Sequence, residues 1–304
     1  MKPRLQAKAL KRLGYLQGIL EPERLIEIVD VGANPITVPD YQPLMAAKLA
    51  RVTGFDPQES AFAELKDRQN AYERNLPYAI GDGTEGELKV SRSGGFTSLL
   101  EPDLSTFKYL QRWPRATEIV ERVPLKTHRL DDLDDITQLD FLKIDIQGGE
   151  LAVFRNGVNK LAGAVAVMTE VAFIPLYVGQ PLMDAQMAEL RGQGFMLHRF
   201  VFTKQVQLGS QFETPGAKRR EGSQLVDGDA IFIRDLRNPD AWDDAALTHL
   251  ALLAEGCFQS PDLALRCLTL LLARGRLSKP QVRRYAEMVF PPAEPDASTV
   301  TPDA

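Results

Sequence analysis

The chain has 304 residues, 44% of them apolar, and a formal net charge of -5. This length carries one large α/β domain plus an appendage, and the acidic balance argues against a dedicated nucleic-acid binder. No apolar run reaches the roughly 18–20 residues of a membrane span, so none is expected.

The first twelve residues carry Lys2, Arg4, Lys8, Lys11 and Arg12 and no acid. A signal peptide needs an apolar core after such a segment, and LGYLQGILEPE is too short and too polar. Residues 1–25 therefore read as an amphipathic helix with Leu5, Ala9 and Leu13 facing inward. Strands are expected at 26–31, 51–55, 76–80, 87–91, 140–146, 164–171, 195–202 and 229–234. Helices fit at 41–50, 57–71, 150–156 and 183–193. The alternation implies parallel strands joined by right-handed crossovers. A polar loop without a helical pattern separates the last two strands, which lets them pair antiparallel.

Residues 92–126 are irregular and long for a connection. They are either a lid or binding loop, or an insertion folding as a short helix and an edge strand. From 243 the character changes to three helices within a helical appendage, 238–290. Ser260 and Ser278 are candidate N-caps, Ser278 and Gln281 fit a capping box, and Gly275 can end the middle helix. Its leucines outnumber what one helix face buries, so the appendage is expected to pack deeply or to support a homo-oligomer. Residues 291–304 are rich in Pro, Ala and acid and are expected to be disordered. Cys257 and Cys267 lack metal spacing and read as buried free thiols, which suits a reducing, cytoplasmic setting. The three histidines are far apart, so no His-rich metal site is expected.

Two segments carry chemistry. In IEIVDVGAN, residues 26–34, an apolar strand ends at Asp30 and runs into Gly32, Ala33 and Asn34. In LDFLKIDIQGGE, residues 139–150, an apolar run holding Lys143 and Asp145 stops at a glycine pair and Glu150. Both read as a buried strand, a tight turn and a helix start, with the acid at the carboxyl end, where open α/β sheets bind ligands. Asp56 follows the second strand, where ribose hydroxyls are read in Rossmann-like sheets. No G-x-G-x-x-G fingerprint opens the first helix, which argues against a nicotinamide dehydrogenase. Strand residues two apart share a face, so Lys143 and Asp145 are expected within reach of a salt bridge. Glu170 ends the next strand and would converge with Asp145 if the two strands are neighbours. Three roles fit this group: a carboxylate base, a Lys143-neutralised pair, or a divalent metal site, although no clear oxygen-ligand motif is present. A buried ion pair with Glu150 as a helix-capping acid is the structural alternative.

These segments resemble the FkbM family of S-adenosylmethionine (SAM)-dependent methyltransferases. The likeness covers roughly 27–235 and includes AIGD at 79–82, RLDDL at 129–133, the run from Glu170 to Tyr177, and the glycine and phenylalanine at 194–195. It implies a Rossmann-like class I methyltransferase sheet over 26–237, mostly parallel with an antiparallel last strand. It implies SAM as cofactor and O-methylation of a carbohydrate or natural-product-like hydroxyl, with Asp145, Glu170 and Lys143 at the catalytic face. Asp30 would meet the cofactor's ammonium, Asp82 the adenine, and Ser98 either cofactor or acceptor or only a turn. Tyr177 would line the acceptor pocket or only pack. One departure is Asn34-Pro35-Ile36, where many family members place another glycine. It keeps a non-catalytic binding or scaffold protein on this fold as the alternative.

Overall fold

The computed structural model describes residues 3–33, 38–58, 69–210, 212 and 222–291, without the side chains of residues 3–6. The expected tail from 292, most of the helix at 57–71, and Asn34, Pro35 and Ile36 lie outside the described residues, as does the side chain of Leu5. The chain divides into two compact units, one of residues 24–39 and 48–241, the other of 1–23, 40–47 and 242–304.

The first unit holds all ten described strands: β1 (Ile26–Val31), β2 (Ala50–Phe55), β3 (Glu73–Leu76), β4 (Ala79–Gly81), β5 (Glu85–Ser91), β6 (Ile119–Arg129), β7 (Phe141–Ile144), β8 (Ala166–Ala172), β9 (Phe195–Val206) and β10 (Gln224–Arg234). Seven form one sheet in the order β3-β2-β1-β7-β8-β10-β9. The pairs from β3 to β8 are parallel, and β10 enters antiparallel between β8 and β9. This is the Rossmann-like class I methyltransferase sheet. β1 and β7 sit at its centre, and Val29, Val31, Leu142, Ile144, Val167 and Phe232 are buried in its core. Strands covered on both faces read as near-continuous apolar runs, which is why β1 and β8 were legible in sequence.

The remaining strands form a three-stranded sheet, β4-β6-β5. The expected strand at 76–80 is thus two strands in different sheets. Pro77 lies between them and has no N–H to continue a ladder. The irregular stretch contains the helix Leu104–Leu110 and β6, and β6 lies in the middle of the small sheet rather than at an edge. Asp103 caps that helix, its side chain accepting from the N–H groups of Ser105 and Thr106. The helix expected at 41–50 spans only Gln42–Ala46, and the chain is already extended at Ala50.

The second unit is helical: Pro3–Leu20, Gln42–Ala46, Asp244–Gly256, Pro261–Ala273 and Lys279–Val289. Leu13 and Leu16 of its first helix are buried, and Ala9 is half-buried. Leu263, Leu268 and Leu271 are buried, while Leu265, Leu270 and Leu272 are half-buried. Gln281 accepts from the Ser278 N–H at 2.8 Å. Gly275 adopts φ +72 just past the helix end, and the Arg276 N–H reaches back to the Leu271 carbonyl. Ser260 occupies the N-cap position without capping; its hydroxyl donates to Asp262 at 2.9 Å instead. Cys257 and Cys267 are buried thiols, and burial pushes the Cys267 thiol up to about 12. Among the described residues no helix is long and apolar enough to cross a membrane.

Candidate active site

The two central strands end where their backbones almost touch. Gly32, just past β1, has φ +85, and a β-carbon on it would lie 2.0 Å from the Asp145 carbonyl oxygen. Only glycine supplies that conformation and that proximity without strain. Asp145 donates its N–H to the Val31 carbonyl, the last bond between the two segments. The chain then turns sharply: Gln147 adopts φ +58 and Gly148 φ +107 before the helix Glu150–Arg155 begins. A non-glycine residue in the left-handed region typically costs ~1–3 kcal/mol, so other contacts must hold this turn.

They do. The fully buried Glu150 carboxylate accepts from the Ile146 N–H at 3.0 Å and from the Gly148 N–H at 3.1 and 3.2 Å. Burial pushes this carboxyl up to about 7. The Ser98 hydroxyl donates to the Gln147 carbonyl at 2.7 Å and accepts from the Leu100 N–H at 3.0 Å.

A cavity of about 220 Å³ opens over these turns. Its polar wall includes Asp56, Gln58, Thr97, Lys143, Asp145 and Gln147; its apolar wall includes Phe55, Tyr78, Ile80, Leu88 and Ile146. Asp56 sits just past β2, and its Oδ1 accepts from the Gln58 N–H at 2.8 Å. Burial, the largest cause, and the Asp30 charge raise this carboxyl from 3.8 to about 6.

Beside the cavity lies a group of acids. Gln147 Nε2 is 2.9 Å from Asp145 Oδ1 and 3.0 and 2.9 Å from the two oxygens of Glu170. Gln147 Oε1 accepts from the Tyr177 hydroxyl at 2.9 Å. β7 and β8 are parallel neighbours, which is what brings Asp145 and Glu170 together. Burial first, then the charges of Asp145, Glu150, Asp227 and Asp229, holds the Glu170 carboxyl well above the usual carboxylate range.

The expected site residues separate into three groups. Gly32, Asp56, Lys143 and Asp145 line the cavity. Glu170 lies behind it and is reached through Gln147. Asp30, Ala33, Asp82 and Ser98 do not line it, and Asn34 lies outside the described residues. Asp30 is 2% exposed and its Oδ1 holds Lys143 Nζ at 3.1 Å. The expected Lys143–Asp145 bridge is thus replaced by Lys143–Asp30: residues 30 and 143 stand opposite each other in the β1–β7 pair, whereas Asp145 lies past the end of β7. The Lys143 ammonium is raised by Asp30 and Asp145 against its burial. Asp82 is turned into its own loop, accepting from the Thr84 N–H at 3.0 Å and hydroxyl at 2.6 Å. The Ser98 hydroxyl supports the Gln147 carbonyl. Tyr177 is fully buried, packs with Phe107, Leu110 and Val226, and serves Gln147. Sequence reading singled out neither Gln147 nor Tyr78. The signal for Gln147 was a polar side chain between the acid and the glycine pair in KIDIQGGE.

The FkbM methyltransferase domain matches residues 30–197. The chain belongs to the FkbM methyltransferase family. The matched span contains both turns and the whole acid cluster up to Tyr177. No curated protein matches the sequence. Among solved structures, this FkbM methyltransferase is similar to a precorrin-6y C5,15-methyltransferase from Geobacter metallireducens GS-15, at 10% identity, covering 73% of this chain and 87% of that one, TM-score 0.37. It is also similar to a magnesium protoporphyrin IX methyltransferase from Synechocystis PCC 6803 with bound SAM, at 11% identity, covering 76% and 80%, TM-score 0.36.

Proposed function

We propose that this FkbM methyltransferase uses SAM and methylates a hydroxyl of a carbohydrate or natural-product-like acceptor. The observation that carries the reading is the cavity at the carboxyl ends of β1, β2 and β7, with a buried carboxylate in its wall and an acid cluster at its side. The residues fit the cofactor's parts. Asp56 suits a ribose diol, since an ionised carboxylate accepts from two hydroxyls at once. Tyr78, Ile80 and Leu88 offer an apolar wall for a flat ring. The close approach at Gly32 brings two backbones to the same edge of the cavity.

When bound, SAM supplies a methyl group on a positively charged sulfur. Asp145 accepts the proton of the acceptor hydroxyl, a poor nucleophile without a base. Lys143, already bound to Asp30, contributes positive charge beside Asp145 without competing for a direct contact. The turns of 94–99 and 145–149 supply one wall of the cavity. Positioning of the acceptor against this wall supplies much of the remaining acceleration.

The test is calorimetry with SAM and with its product S-adenosylhomocysteine, followed by an acceptor screen that reads methyl consumption against a panel of sugars and hydroxylated small molecules. Binding of both cofactor forms and consumption with a hydroxyl acceptor are expected. Absence of binding would overturn the cofactor reading. Binding with consumption only by amine or carbon acceptors would overturn the O-methyl reading.

A further inference from the structure

We propose that Gln147 is a positioning residue for Asp145: an amide clamp, anchored from behind, that keeps the Asp145–Glu170 pair apart and oriented beside the cavity. The inference rests on the reading of Asp145 as the proton acceptor, and deepens it.

A carboxamide has one end that only donates and one that only accepts. Here the Tyr177 hydroxyl donates to Oε1 at 2.9 Å, so the NH₂ end is turned toward the acids. It meets Asp145 Oδ1 at 2.9 Å and both oxygens of Glu170 at 3.0 and 2.9 Å. A flipped amide would press an oxygen against two carboxyl groups and leave the phenol facing a donor. The orientation is therefore fixed by Tyr177, which is fully buried and cannot swing away.

The backbone is held as firmly. Gln147 is in the left-handed region at φ +58, and its carbonyl accepts from Ser98, itself 2% exposed. The segment after Ser98 is stitched to the Tyr177 segment: the Asp103 N–H donates to the Leu176 carbonyl and the Val178 N–H to the Glu101 carbonyl. Ser98 and Tyr177 thus both act on one residue, Ser98 on its backbone carbonyl and Tyr177 on its side chain.

The clamp answers a specific problem. Glu170 faces Asp145, Glu150, Asp227 and Asp229, and its phenolic neighbour is Tyr177. Among the described residues, the nearby cations have partners of their own, Lys143 with Asp30 at 3.1 Å and Lys204 with Asp227 at 3.0 Å. Two close acids without a dedicated cation titrate as a coupled pair, and donors between them lower the proton affinity of that pair. Gln147 supplies those donors without adding charge, so one acid stays available as a base.

The test uses the full chain free of ligand, with carboxyl-carbon NMR titration of aspartate and glutamate in wild type, Gln147→Leu and Tyr177→Phe, and S-adenosylhomocysteine calorimetry on all three. Gln147→Leu should move the pair's titration upward by about one pH unit, a tenfold change in proton affinity. Tyr177→Phe should move it in the same direction by less, because the amide loses its anchor but not its donors. Product affinity of Tyr177→Phe, which lies outside the cavity lining, should stay within about threefold. An unchanged titration in either folded variant overturns the clamp, and so does a loss of stability and binding together with no titration change. If Gln147→Leu does not fold, Tyr177→Phe decides alone. Failure of wild type to bind the product would sink the methyltransferase reading separately, whatever the titrations show.

Discussion

Each unit contains a buried ionic cluster, and the two are built on opposite principles. In the helical unit Arg12 meets Glu255 through two bonds, Nε–Oε2 at 2.9 Å and Nη2–Oε1 at 2.8 Å, and the Tyr285 hydroxyl donates to Oε2 at 2.6 Å. One acid, one base and one phenol satisfy one another. The Glu255 side chain is 0% exposed. In the sheet unit Asp145 and Glu150 flank one turn and Glu170 faces it from β8, and Lys143, which lines the cavity with Asp145, has its direct contact with Asp30. Balance describes a cluster that holds helices together. Excess acid beside a cavity describes one that is costly to assemble and that a structural role alone does not require.

The largest effect should come from the point where the two turns meet. Gly32→Ala places a β-carbon on the Asp145 carbonyl and a side chain at φ +85, so binding of S-adenosylhomocysteine should be lost even if the protein remains folded. Retained affinity in that variant would mean the turns are free to part. Next is Asp145→Asn, which keeps shape and removes basicity. Turnover should fall by roughly 10²–10⁴, with little change in Tm, because Lys143 keeps its bond to Asp30. A large Tm loss would make Asp145 structural, like Glu255.

The balanced cluster should behave in the reverse way. Arg12→Leu leaves Glu255 buried without its cation and should cost ~3–5 kcal/mol in Tm-derived stability. Replacing both partners, Arg12→Leu with Glu255→Leu, should recover much of that loss. If the double variant is as unstable as the single, the pair is worth more than its own neutralisation.

Sequence alone showed more of the sheet than of its acids. β1 and β8 are apolar runs buried on both faces, and such runs announce themselves. Asp145 and Glu170 were legible as strand-end acids because strand ends are marked by the glycines and loops that follow. The partners were not. Lys143 shares a face with Asp145 in a regular strand, yet β7 ends before Asp145, so only the register with β1 shows that Asp30 takes the lysine. Asp82 and Ser98 were legible as loop residues at the sheet edge, but their local partners, Thr84 and the Gln147 carbonyl, were not. Arg12 and Glu255, 243 positions apart, carry no pattern that connects them.

The smallest predicted effect gives the most direct test of the central claim, that the cavity beside the unbalanced acids is the cofactor site. Asp56 is raised from 3.8 to about 6 in the folded protein. Its contribution to stability is therefore present in full below about 4 and lost as pH rises through about 6, the interval over which the carboxylate needed for binding appears. Calorimetric titration of S-adenosylhomocysteine into wild type and Asp56→Asn, from about pH 5 to pH 8, reads that carboxylate in isolation. The account predicts wild-type affinity that weakens as pH falls through about 6, and a variant weaker by ~1–3 kcal/mol at high pH with a flatter profile. Equal affinity and equal pH dependence in the two proteins would contradict it.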